Sequence, residues 1–282
     1  MNEFTEALRT STLLQNALAA GLIASVACGI VGSYVVARRI TYIAGGIAHC
    51  TLGGMGAAQY FNKVHGWSWA DPLLGATLAA LLSAIIIGWV SLRAKQREDT
   101  VISALWAIGM AVGVLFIART PGYAEDLMSY LFGNILMVSR EDLLMMVVLD
   151  ALLVGLGALF YNRFLAVCFD EEFARLRGVS VEFYYLLLLC MTALTVVVLV
   201  AVVGLVLVIA LLTLPVAVAG HFARRLWTVM LLATVISMGL TAGGLAISYA
   251  PDLPAGATTI VLAGALYLAV VIGARLVRTA RA

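Results

Sequence analysis

Apolar residues fall into nine long runs, at 13–37, 42–61, 72–92, 100–118, 142–161, 183–203, 205–222, 227–248 and 258–275. Each comes close to the roughly 20 residues a helix needs to cross a bilayer. The pattern predicts an all-α integral membrane protein, a polytopic bundle of about nine transmembrane helices, with eight as the alternative. The doubtful span is 205–222, where Pro215 and nearby glycines interrupt the apolarity. A shorter run at 127–138, LMSYLFGNILMV, cannot span and reads as a re-entrant or interfacial segment.

The most organised polar interruption is Phe169–Val181, FDEEFARLRGVSV. Asp170 is a suitable N-cap, able to accept from the free N–H groups of a first turn. Glu171 and Glu172 then stand at the positive end of the helix dipole, and Arg175 and Arg177 at the negative end. Gly178 supplies the left-handed residue that stops the helix. Phe169, Phe173 and Leu176 recur at i, i+4 and i+7, so one side is apolar. Two turns are too short to span. The segment is expected to lie along the membrane surface, either as a connector or as a docking element.

Composition narrows the class. The chain is 63% hydrophobic and 11% charged over 282 residues, with a mean hydropathy of +1.07. Almost all of it is span or loop, so the expectation is one transmembrane domain over 1–282, with no room for a soluble one. A net charge of +2 gives no nucleic-acid footprint. Cys28, Cys50, Cys168 and Cys190 lack CxxC spacing and read as small packing residues. The polar N-terminus MNEFTEALRT has no basic region ahead of a cleavage site, so the first run is expected to be retained.

Charge also orients the bundle. With nine spans and the N-terminus outside, thirteen basic residues fall at cytoplasmic ends: Arg38, Arg39, Arg93, Lys95, Arg97, Arg163, Arg175, Arg177, Arg224, Arg225, Arg275, Arg278 and Arg281. Arg9, Lys63, Arg119 and Arg140 alone remain outside. This positive-inside bias puts Phe169–Val181 in the cytoplasm and the C-terminus with it. Trp67, Trp69 and Tyr249 lie near outer ends, where interfacial aromatics belong. Glycines at small-xxx-small spacing, most clearly Gly109/Gly113 and Gly239/Gly243, predict close helix packing.

Ionisable groups inside spans are the candidates for function, because burying them is costly. Asp150 lies in mid-span. It is either a cation or proton ligand facing a cavity or a carboxyl holding two helices together. His49 shares a helix face with Gly45, Gly53 and Gly56. That nearly bare strip either packs on another backbone or lines a narrow passage, and imidazole suits zinc, iron or nickel and accepts manganese. Cys50 projects about 100° away round the helix. His221, beside Arg224 and Arg225, reads as a solvated end. Asp252, in the turn YAPDLPAG, is a candidate at the outer mouth.

Five stretches together resemble the permease subunit of the bacterial metal-ion (zinc, manganese, iron chelate) ABC importer family. They are GSYVVARRITYIAGGIAH (Gly32–His49), DLMSYLFGNIL (Asp126–Leu136), FDEEFARLRGV (Phe169–Val179), GLVLVIALLTLPVAVA (Gly204–Ala219) and SYAPDLPAGATTIVL (Ser248–Leu262). The resemblance implies the type II ABC importer permease fold in the cytoplasmic (inner) membrane, with two permease copies and no permanent cofactor. It also implies a cytoplasmic ATPase that binds the ATP and an extracytoplasmic metal-binding protein that delivers the ion. The helix at about 169–180 would be the coupling helix docked on the ATPase. One departure stands out: the family commonly has Asp where this chain has Gly45, so an i, i+4 carboxylate–imidazole pair is reduced to His49.

Three alternatives stay open at this level. A corrinoid or siderophore importer shares the architecture but needs a wider cavity. A secondary transporter normally has more intramembrane acids and broken helices in matching halves. A membrane-embedded enzyme needs a constellation such as HExxH or GxSxG, and neither is present among only three histidines. Nor is there a GxxxxGK[ST] loop, so the chain is read as a transporter subunit and not an enzyme.

Overall fold

The computed structural model describes residues 2–93, 98–121, 137–251 and 253–279, and every regular element among them is a helix. In order these are α1 (Asn2–Thr10), α2 (Thr12–Ala37), α3 (Thr41–His65), α4 (Pro72–Arg93), α5 (Glu98–Arg119), α6 (Arg140–Leu159), α7 (Tyr161–Phe169), α8 (Glu171–Leu176), α9 (Val181–Val203), α10 (Leu205–Phe222), α11 (Leu226–Tyr249) and α12 (Ala255–Thr279). The short run expected at 127–138 lies, but for its last two residues, outside the described residues.

Local chemistry sets several boundaries. Ser139 and Asp142 form a capping box at the start of α6: the Ser139 N–H donates to Asp142 Oδ2 (2.9 Å), and the Asp142 N–H donates to Ser139 Oγ (3.1 Å). Gly204 alone separates α9 from α10, at φ +90°. A side chain would be strained there, so this abrupt junction depends on glycine. The doubtful span is helical from Leu205 through Phe222 and continuous across Pro215. Burial of Leu205, Leu207, Val208, Leu211, Leu212 and Val216 offsets the one backbone bond a proline removes.

Eight of these helices are long and apolar enough to cross a membrane. The ninth long helix, α3, is diluted by its glycines, His49 and Gln59, yet it too runs the depth of the bundle. It lies parallel to α5, Gly53 against Gly109 and Gly56 against Gly113. Tyr42 and Ser103 hydroxyls 2.5 Å apart mark one end of this seam, and the Tyr60–Phe116 ring pair at 5.4 Å marks the other. Eighteen residues separate Tyr42 from Tyr60, a rise of about 27 Å. On its other side α3 is antiparallel to α4, with Gly54 on Gly75. The parallel pairing of α2 and α6, where Tyr34 Oη donates to the Gly157 carbonyl at 2.9 Å, requires an odd number of traverses between them. The helices α3, α4 and α5 supply three.

The centre of the bundle is α2, α9 and α10, whereas α5, α6 and α12 are the most exposed of the long helices. One contiguous core joins Tyr34, Ile47, Ile87, Met146, Phe164, Leu188, Leu199 and Leu212. A feature the polar N-terminus did not suggest is α1. Its Phe4, Ala7 and Leu8 fold onto Leu14, Ala17 and Leu245, and the Phe4 ring meets Tyr249 edge-on at 5.8 Å.

The glycine spacing is realised in one place and not in another. Gly109 and Gly113 pack against α3 at Cys50 and Leu52. Gly239 faces open space, and Gly243 meets only the tip of Leu262. The close approach expected of Gly239/Gly243 is therefore absent among the described residues, where no neighbouring backbone runs past that side of α11.

Candidate functional site

Two places collect most of the residues singled out by the sequence: the α3–α5 seam and the end of the bundle carrying α7 and α8. At the seam, His49 is 9% exposed and projects onto Trp106 of α5. The rings stack with centroids 4.2 Å apart and planes 15° from parallel. His49 Nδ1 is buried without a hydrogen-bond partner among the described residues. An unpaired polar nitrogen in apolar surroundings is unfavourable unless something visits it. Cys50 turns aside, its thiol donating to the Leu105 carbonyl at 3.3 Å.

The glycine strip beside His49 divides in two. Gly53 and Gly56 are packing positions, where an added Cβ would lie 2.7 Å from the Gly109 carbonyl oxygen and 2.8 Å from that of Gly113. Gly45 has room: a Cβ there would sit 3.7 Å from the Trp106 ring and 4.0 Å from Ile209. The space that a carboxylate side chain at position 45 would use is thus bordered by the indole. Trp106 was not singled out by the sequence reading; its one signal is a lone tryptophan in the apolar run 100–118.

Asp150 belongs to a different seam. It is 8% exposed on α6, which packs on α2, and its carboxyl lies against the backbone of Ala27. His49 faces α5 and Asp150 faces α2, so the two do not converge. Among the described residues no group of three or more His, Cys, Asp or Glu could hold a metal ion, and all four cysteines are free. Asp252 lies outside the described residues.

At the other place, Asp170 Oδ1 accepts the Phe173 N–H at 2.9 Å and caps α8. The helix closes through Gly178 at φ +74°, with the Gly178 N–H donating to Arg175 and that of Val179 to Ala174. These two bonds are the paired closure of a Schellman motif. On this firm unit Ala174 is buried, while Phe169 (67%), Phe173 (48%) and Leu176 (87%) are exposed. The apolar side of this doubly capped helix is thus left open to the surroundings. Beside it a groove runs between α7–α8 and the α10–α11 turn, lined by Tyr161, Phe169, Phe173, Arg224, Arg225 and Trp227.

Register places the basic residues together at this end. Tyr34 meets Gly157, Arg38 meets Tyr185, and Ser91 also meets Tyr185. These contacts bring Arg38, Arg39, Arg93, Arg163, Arg175, Arg177, Arg224 and Arg225 to one end, while Arg9, Lys63, Arg119 and Arg140 lie at the other. At that second end Trp67 stacks between Phe61 (4.9 Å) and Trp69 (5.4 Å). His221 Nδ1 lies 2.9 Å from the Ala217 carbonyl on an exposed turn, as a solvated end residue.

Known proteins resemble this chain along almost its whole length. A family model described as "ABC 3 transport family" matches residues 10–274. A "Probable metal transport system membrane protein" of Chlamydia trachomatis is 40% identical over 255 residues, covering 90% of this chain and 87% of that protein. The "Manganese transport system membrane protein MntC" of Halalkalibacterium halodurans is 30% identical over 264 residues, 94% of this chain and 88% of that one. The solved structure of PsaBC from Streptococcus pneumoniae in complex with Fab superposes with a TM-score of 0.84 at 29% identity, over 95% of this chain and 94% of that one.

Proposed function

We propose, from the premise that the chain belongs to the ABC 3 transport family, that it is the permease of an ATP-driven importer for a divalent transition-metal ion. Manganese is the favoured ion, because relatives at 30% identity over almost the whole chain are named for it; the same names favour a metal over a corrinoid or siderophore. The chain is a transporter subunit and not itself an enzyme. ATP is bound and split on a separate subunit, and a metal-binding protein delivers the ion at the opposite end.

The observation that carries the mechanism is the exposed apolar side of α8 on a helix fixed at both ends. Burying Phe169, Phe173 and Leu176 in a groove of the ATPase is worth roughly 1.5–3 kcal/mol for each side chain. That is enough for docking, and a doubly capped helix transmits a push without fraying. Closure of the ATPase pair then tilts the equilibrium between outward- and inward-open bundles by its unequal affinity for the two. The arginine-rich end, which carries α8, is cytoplasmic by the positive-inside bias, and the N-terminus is outside. Two copies of the permease form the pore, with the remaining exposed faces of α5, α6 and α12 against lipid.

The ion passes the α3–α5 seam, where His49 offers the one imidazole. With Gly45 in place of a carboxylate the contact is weak, which suits a path the ion must also leave. Co-purification tests the reading. An ATP-binding subunit with a GxxxxGK[ST] loop is expected to be retained by the full chain in detergent, and its consistent absence would contradict the proposal.

A further inference from the structure

Arg38 stands at the meeting point of four helices. It is the first residue past α2, and its side chain reaches Glu171, in the first turn of α8, as an ion pair. The same guanidinium lies over the Tyr185 ring of α9, 5.3 Å from its centroid. Tyr185 in turn has its hydroxyl 3.2 Å from Ser91 Oγ of α4. The ion pair thus joins the docking helix to the core. Both partners are partly shielded, with 24% and 34% of their side chains exposed.

The turn after Arg38 is stiff. The Arg39 N–H donates to the Val36 carbonyl (3.1 Å) and the Ile40 N–H to that of Val35 (3.0 Å), closing α2 with a Schellman motif. The left-handed position of that motif is held by Arg39, at φ +62°. It is the one non-glycine residue with positive φ among the described residues, in a place where glycine is the usual occupant. A strained residue persists where its surroundings over-determine it. The turn therefore joins α2 to α3 with almost no slack, and α3 carries His49 two turns further on. A displacement of α8 along its own axis pulls Arg38, and the turn passes that pull to the helix holding the imidazole.

We propose that Arg38, through its pairing with Glu171, is the positioning residue that links movement of α8 to the α2–α3 hairpin. Charge pairing at this point couples ATP hydrolysis to ion passage. The inference rests on the reading of α8 as the ATPase-docking helix. It adds to that reading the residue through which α8 acts.

Charge exchange in the reconstituted permease–ATPase complex tests it. Arg38→Glu, outside α8, is expected to keep the ATPase bound and its basal hydrolysis intact, and Glu171→Arg is its reciprocal. Stimulation by the metal-loaded binding protein should fall about tenfold, within the range of ordinary coupling between sites. The double exchange Arg38→Glu/Glu171→Arg should restore most of it. A merely structural role would lower assembly and basal hydrolysis together and would not be rescued by reversal. Full stimulation in either single variant, or a double variant no better than the singles, overturns the proposal. Should the reversals assemble poorly, Glu171→Gln decides: retained stimulation refutes the link, and lost stimulation with intact assembly supports it. Phe173→Asp runs alongside. If it leaves the ATPase bound, the docking reading fails, which is distinguishable from failure of the Arg38 link alone.

Discussion

The indole of Trp106 lies flat on the imidazole of His49, 4.2 Å from centroid to centroid. Because the neighbouring position is Gly45, no carboxylate competes for that face, and His49 Nδ1 is left without a partner among the described residues. The stacked pair holds the imidazole in one orientation on the α3–α5 seam. His49→Ala is expected to raise the KM for metal uptake in proteoliposomes without loss of assembly. Unchanged uptake kinetics would remove His49 from the path.

Gly45→Asp places a carboxylate one helical turn from His49 on the same helix face. Its Cβ fits in ordinary contact with Trp106 and Ile209, so the variant should fold. It is expected to retain manganese more tightly after gel filtration, as read by elemental analysis, and to release it more slowly. Equal retention by both proteins would mean that position 45 does not face the ion.

Phe173→Asp puts a charge in the middle of the exposed apolar side of α8, which is proposed to dock on the ATPase. Losing roughly 1.5–3 kcal/mol of burial and adding an unpaired carboxylate should weaken ATPase association by about a hundredfold or more. The bundle should stay folded, since Phe173 is half exposed and faces away from the core. Retained pull-down of the ATPase would contradict the docking role.

The glycines give a contrast within one fold. Gly53→Val drives a branched side chain into the Gly109 backbone and should cost about 1–3 kcal/mol, seen as a lower thermal midpoint in detergent. Gly239→Ala, with nothing within 4 Å, should be neutral or stabilising by up to about 1 kcal/mol. Equal effects from the two would disprove the seam described for α3 and α5.

Asp150→Asn keeps the shape and hydrogen-bonding capacity of a side chain wedged between α6 and α2. With His49 on another seam, uptake by this variant is expected to remain within about twofold, a change too small to signal loss of a metal ligand. A severe loss of transport would instead place Asp150's charge on the ion's route.

The long helices were legible because apolar runs of spanning length have few other uses; 205–222 matched at both ends despite Pro215. The caps of α8 were legible too, since Asp170 and Gly178 act on their own neighbours in sequence. What escaped depends on which helix lies alongside. Gly239/Gly243 and Gly109/Gly113 have the same spacing, yet only the second pair meets a backbone. Trp106 over His49, and Glu171 on Arg38, require the register of helices far apart in the chain. The amphipathic α1 owes its place to Tyr249 and Leu245 near the other end of the sequence. At the candidate site the sequence supplied His49 and the missing carboxylate, and the structure supplied the indole.

The most direct measurement is ATP hydrolysis by the permease–ATPase complex in proteoliposomes, with the binding protein added empty or loaded with manganese, zinc, iron or a corrinoid. Stimulation by a metal-loaded form, manganese foremost, and its disappearance in Phe173→Asp, is the expected result. A response to the corrinoid alone, or none to any loaded form from a complex that assembles and hydrolyses ATP, would contradict a metal-ion importer driven through α8.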